Sequence, residues 1–76
     1  MIVSIFGTVL RDLREKNNLS QEKLAEFCDL DRTYISLLER GQRQPTITTL
    51  FKISAAINIK PSVLVEMVDL KLNAES

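Results

Sequence analysis

The chain has 76 residues, 45% hydrophobic and 26% charged, with two glycines, two prolines, one cysteine and no histidine. Such a composition folds as one globular domain, at a size where a single core supplies only about 3–5 kcal/mol and a disulfide, metal or partner often helps. Cys28 alone excludes an internal disulfide, the lack of histidine leaves no zinc set, and a formal net charge of zero gives no overall pull towards nucleic acid.

The opening MIVSIFGTVL has no basic residue before its apolar run and no small-residue cleavage pattern after it. It is also far shorter than the ~20 residues of a membrane span. It therefore predicts the first half of an amphipathic helix over residues 4–16, in a reducing, cytoplasmic chain without a membrane partner. Phe6, Leu10 and Leu13 fall at i, i+4 and i+7 with Ile5 and Val9 beside them, while Arg11, Asp12 and Glu15 face water. Asn17 or Asn18 suits a left-handed C-cap. Ser20 N-caps a second helix over residues 21–28, whose apolar positions are Leu24, Phe27 and Cys28 with Ala25 between them. Lys23 stands where a reciprocal capping box wants Glu or Gln.

Asp29, Leu30 and Asp31 separate this helix from a third, over residues 32–40, capped by Asp31 and ended by Gly41. Ile35 and Leu38 share its buried face. Thr33, Ser36, Leu37 and Arg40 lie opposite, flanked by Arg32. Residues 32–60 carry Arg32, Arg40, Arg43, Lys52 and Lys60 against Glu39 alone, while both flanking regions are net negative. The positive charge is thus gathered around the short polar helix, with Lys52 and Lys60 read as solubility charges. Thr46 caps a fourth helix over residues 47–57, with Ile47, Leu50, Ile53 and Ala56 or Ile57 as its apolar set and Asn58 closing it. Pro61 suits the first turn of a fifth, running to about residue 71 and leaving residues 73–76 as a frayed tail. Five short helices without strand alternation predict an all-α fold.

Two helices joined by three residues have the spacing of a helix-turn-helix, here about residues 21–40. Ala25 sits where the two would cross closely, and Leu24, Leu30, Ile35 and Leu38 supply their shared core. A helix about 10–12 Å across fits a major groove ~12 Å wide, which gives the outward groups of the third helix bases and phosphates to meet.

The stretch LREKNNLSQEKLAEFCDLDRTYISLLERGQRQPTITTLFKI resembles the lambda-repressor/Cro-type (Xre) helix-turn-helix family. The likeness rests on L-S-Q-E-x-L-A, I-S-x-x-E-R-G and P-T-x-x-x-L-x-K-I and spans about residues 6–65. The stretch LDRTYIS, in a chain too short for a sensor domain, is similar to controller proteins of restriction–modification systems. The resemblance implies a compact five-helix lambda-repressor-like fold in a bacterial or phage protein working at the nucleoid. It makes Arg32, Thr33, Ser36 and Leu37 base-reading residues, Arg32 through guanine O6 and N7 and Leu37 through a thymine methyl. Gln21, Tyr34, Arg40, Arg43 and Thr46 become phosphate contacts, and Arg14 and Glu39 an ion pair tying the first helix to the third. Tyr34 equally suits packing at the core's edge, and Cys28 a small buried position. Two positions depart from the family pattern: Asp29 stands where glycine is frequent, and Lys23 replaces the capping acid.

The fifth helix carries apolar residues around most of its circumference. Leu64 and Val68 are expected to cover the core, which leaves Val63, Val65, Met67 and Leu70 for an interface. A twofold dimer through this helix and the end of the fourth would set two recognition helices about 34–36 Å apart, one turn of DNA. The sequence thus reads as a transcriptional regulator that binds a pseudo-palindromic operator in double-stranded DNA as a homodimer. A DNA-binding antitoxin whose fifth helix docks a toxin, and an interaction module without DNA binding, remain open alternatives. No enzyme, cofactor or small-molecule ligand is indicated: the chain has no histidine, metal-binding cluster or phosphate-cradling glycine loop.

Overall fold

A short polar side chain opens three of the five helices seen in a computed structural model that describes residues 1–75. The helices are α1 (Ile2–Lys16), α2 (Gln21–Cys28), α3 (Arg32–Glu39), α4 (Ile47–Ala56) and α5 (Pro61–Ala74). Ser20 accepts from Lys23 N, Asp31 from Thr33 N and Thr46 from Thr49 N, each satisfying a first-turn N–H that has no partner within its helix. Pro61 opens α5 instead, its fixed φ and missing N–H suiting the first turn.

Four helices end in one way. Asn18, Asp29, Gly41 and Asn58 adopt positive φ of 57°, 55°, 72° and 59°. The next residue's N–H then turns back to a carbonyl five positions earlier: Leu19 to Arg14, Leu30 to Ala25, Gln42 to Leu37 and Ile59 to Ser54, at 2.9–3.1 Å. This is the Schellman arrangement, and Leu19, Leu30 and Ile59 add its apolar contact by packing on the core.

Leu10, Leu24, Ile35, Leu38, Ile53 and Leu64 are fully buried, so every helix contributes to the core. The first helix rests directly on the C-terminal end of α3. A Cβ on Gly7 would lie 2.5 Å from the Leu38 carbonyl oxygen, and one on Gly41 2.9 Å from Ser4 Cα. Ala25 is buried on α2, beside Cys28, whose thiol pKa is pushed up by burial against the opposing pull of Lys52.

Several sequence expectations need correction. The first helix begins at Ile2, with Ser4 Oγ donating to the Met1 carbonyl inside the opening turn. Arg40 and Ile57 are C-caps and not the last helical residues. The fifth helix runs on to Ala74, so Asn73 and Ala74 are helical and not frayed; Ser76 of the expected tail lies outside the described residues. Phe27 is 54% exposed, because Leu24, Ala25 and Cys28 define the covered stripe of α2 and Phe27 falls on the far side of Leu24, near the Lys23 ammonium. Ile47 is 73% exposed: Thr49, Ile53 and Ile57 turn towards the core, which carries Ile47 and Phe51, four apart, to the outer side of α4. Among the described residues no helix is long and apolar enough to cross a membrane.

Candidate nucleic-acid interface

A charged brace holds the C-terminal end of α3 through Glu39. Arg14 donates from Nε to Glu39 Oε2 at 2.6 Å, from Nη2 to Oε1 at 3.1 Å, and from Nη1 to the Leu19 carbonyl at 2.8 Å. Gln21 Nε2 donates to Glu39 Oε1 at 3.0 Å. The side chains of Arg14 and Glu39 are 12% and 4% exposed, so water does little to screen them. Hydrogen bonding to Glu39 raises the Arg14 pKa above its ordinary value, with burial acting against it. Three helices meet in this cluster: α1 through Arg14, α2 through Gln21 and α3 through Glu39. The Gln21 link escaped the sequence reading, since nothing local announces a partner 18 residues away, and so did the Leu19 carbonyl, five residues from Arg14.

On α3 itself, Arg32 and Thr33 are exposed, Ser36 and Leu37 are half-buried, and Ile35 and Leu38 point inward. Arg40 stands exposed at the C-cap, its Nε 3.4 Å from the Ser36 carbonyl. Tyr34 is half-buried at the flank of α3. Its hydroxyl lies 3.2 Å from Thr49 Oγ1, which lies 3.0 Å from Thr46 Oγ1. The Arg43 guanidinium sits 5.9 Å from the centre of the Tyr34 ring, within range of a cation–π contact. Tyr34, Arg43 and Thr46 are therefore one connected group joining α3 to the start of α4. Thr49, the buried residue at its centre, was missed by the sequence reading; the signal was its place three residues after the Thr46 cap.

The residues expected at an interface on α5 divide between two flanks. At roughly 100° per residue, Leu64 and Val68 form the covered stripe, with Val63, Met67 and Leu70 on one side of it and Val65 on the other. Val65 borders an apolar hollow with Ile2, Phe6 and Leu50, whereas Met67 and Leu70 border a groove with Val9 and Leu13. Met67 is half-buried and packs against this chain's own core while still bordering that groove. Val63, Val65 and Leu70 are exposed.

Two capped helices meeting at a three-residue turn that opens on a left-handed Asp29, the second with its polar side outward and braced at Glu39, define a helix-turn-helix protein. The chain belongs to the helix-turn-helix family of the Xre type, which matches residues 10–64. It is 48% identical over 63 residues to control protein C.BamHI of Bacillus amyloliquefaciens, covering 82% of this chain and 78% of that protein. Among solved structures it is similar to the restriction–modification controller protein C.AhdI from Aeromonas hydrophila, with a TM-score of 0.79 and 42% identity, covering 82% of this chain and 94% of that one. It is also similar to the controller C.Esp1396I, described as a tetramer in complex with its natural 35 base-pair operator. There the TM-score is 0.81 and the identity 35%, over 90% of each chain.

Proposed function

We propose that this chain is a sequence-specific DNA-binding transcriptional regulator of the restriction–modification controller type. It binds a pseudo-palindromic operator as a homodimer, with α3 of each copy in the major groove, and so represses or activates the promoter it covers. The observation that carries this reading is the outward side of α3: Arg32 and Thr33 exposed, Ser36 and Leu37 beside them, all on a helix whose end is fixed through Glu39 by Arg14 and Gln21. A reading surface has to be held at a fixed tilt before base contacts discriminate, and the buried brace supplies that tilt. The kinship with a controller seen on its operator supports the same reading.

Arg32, Thr33, Ser36 and Leu37 are assigned to base edges, Arg32 with the geometry for a guanine. Tyr34, Arg40, Arg43 and Thr46 are assigned to phosphates on either side of the groove. The Gln21 amide nitrogen is engaged by Glu39, so its phosphate contact is assigned to the backbone N–H groups opening α2. Self-association is assigned to the flank of α5 that carries Val65, because the outer side of α4, with Ile47 and Phe51, adds exposed apolar surface there. The C.Esp1396I tetramer supports pairing of such chains.

The test is binding of Arg32→Ala to operators in which each base pair of a half-site is changed in turn. The variant loses preference at one position per half-site and about 1–3 kcal/mol of discrimination there, keeping its preferences elsewhere. Discrimination preserved at every position would remove Arg32 from the reading surface.

A further inference from the structure

Thr49 on α4 is buried, with 5% of its surface exposed, yet it carries a hydroxyl where packing asks only for an apolar side chain. A valine of the same outline would fill the site and leave no polar atom to satisfy. The helix cap does not call for the hydroxyl either, since it is the Thr49 backbone N–H that donates to Thr46 Oγ1, at 3.1 Å. Two other helical hydroxyls, those of Thr8 and Ser54, turn back to the carbonyl four residues before them. Thr49 Oγ1 instead reaches across to α3, 3.2 Å from the Tyr34 hydroxyl and 3.0 Å from Thr46 Oγ1. We infer that Thr49 is a positioning residue for DNA binding: its hydroxyl fixes the Tyr34 ring and, through that ring, the Arg43 guanidinium for their phosphate contacts. This rests on the DNA-binding reading given above.

The parts act in series. The Tyr34 side chain is only half-buried, and packing alone leaves such a ring a choice of rotamers. The bond to Thr49 ties its far end, so the ring is held both where it leaves α3 and at its hydroxyl. A ring held at two ends gives the exposed Arg43 a fixed face, with the guanidinium 5.9 Å from its centre. The hydroxyls also decide where a proton is left over. Thr49 Oγ1 lies between two other hydroxyls with one proton of its own, so it donates to one and accepts from the other. If Tyr34 donates inward, Thr46 keeps a free O–H; if Thr46 donates inward, Tyr34 keeps one. Both ends are proposed phosphate contacts, so either direction leaves a donor for an anion. Without the middle hydroxyl the two ends are no longer linked.

Binding of the full chain to a mixed-sequence DNA duplex at low salt is the probe, because phosphate contacts act on every sequence. Tyr34 is the only tyrosine and the chain has no tryptophan, so intrinsic fluorescence reports this ring alone. Thr49→Val is expected to lower the fluorescence anisotropy of the free protein as the ring gains freedom. It should also weaken duplex binding at least about 4-fold, two copies each losing a bond worth about 2-fold or more. Thr49→Ser restores both. Arg43→Ala costs less affinity in the Thr49→Val background than in wild type, because the two act through one ring. Circular dichroism checks the fold; should Thr49→Val not fold, Tyr34→Phe cuts the same link from its less buried end and is expected to weaken binding too. Wild-type affinity in Thr49→Val or Tyr34→Phe, unchanged anisotropy in Thr49→Val, a Thr49→Ser that does not rescue, or effects of Thr49→Val and Arg43→Ala that simply add, overturns the positioning role and leaves DNA binding standing. A wild type that does not bind the duplex overturns the DNA-binding reading and the positioning role with it.

Discussion

Glu39 carries three donors on two oxygens: Arg14 Nε on one, Arg14 Nη2 and Gln21 Nε2 on the other. With its side chain 4% exposed, this carboxylate is an ion almost wholly removed from water, and its neutraliser is as well placed as a guanidinium allows. Whether the pair stabilises more than an apolar substitute would is a separate matter from what happens when one half is lost. Glu39→Ala leaves the Arg14 guanidinium without its carboxylate and the Gln21 amide without its acceptor, at a cost of about 3–5 kcal/mol. That is comparable to the whole stability of a core this small. In urea titrations followed by circular dichroism, Glu39→Ala is therefore expected to be largely unfolded before denaturant is added. Glu39→Gln keeps the shape and one acceptor and should retain a folded baseline. An unshifted midpoint for Glu39→Ala would show that the brace does not hold the fold. The sequence placed Arg14 and Glu39 together only through family likeness; their 25-residue separation carries no local signal.

At the scale of elements, what could be read from the chain was whatever is decided locally. Ser20, Asp31 and Thr46 cap as their types dictate, and Asn18, Asp29, Gly41 and Asn58 turn left-handed as short polar residues and glycine do. Burial was harder to read, since it depends on neighbours from other elements. Phe27 and Ile47 satisfy helical apolar spacing, yet both end up in water, because an eight- or ten-residue helix buries one narrow stripe and packing selects which. Tyr34 was left between two roles; its hydroxyl lies within hydrogen-bond distance of Thr49, 15 residues on, while its side chain stays half-buried at the surface. Asp29 shows what a local signal can still predict. Its φ of 55° costs an aspartate more than a glycine, and its charge sits at the negative end of the α2 dipole. Asp29→Gly removes both penalties, and even after the extra chain entropy of glycine it should raise stability by about 0.5–1 kcal/mol. A calorimetric melting temperature that falls on this substitution would mean the aspartate has a favourable partner in the turn.

The molecule as a whole measures 34 × 24 × 23 Å, and α3, the helix proposed to read DNA, is eight residues, about 12 Å long. Such a rod reaches the base pairs of a single half-site, so an operator one DNA turn long calls for a second copy. A neutral chain also has to make its phosphate contacts by arrangement rather than by net charge. Arg40 and Arg43 lie on the α3 side, where residues 32–60 hold five basic groups to one acidic. Arg43 is exposed and steadied by the Tyr34 ring, which limits the side-chain freedom it loses on meeting a phosphate. Each phosphate neutralised releases counterions, so affinity falls with salt by about 0.9 per contact on a log–log plot. Arg43→Ala in a dimer removes two such contacts. It should weaken binding to every operator variant alike and flatten the salt slope by about two, the opposite signature to that of Arg32→Ala. Fluorescence anisotropy titrations from 50 to 200 mM salt resolve that change. A slope equal to wild type, with the loss confined to one base position, would move Arg43 from the backbone to the groove floor and redraw the reading surface around the loop before α4.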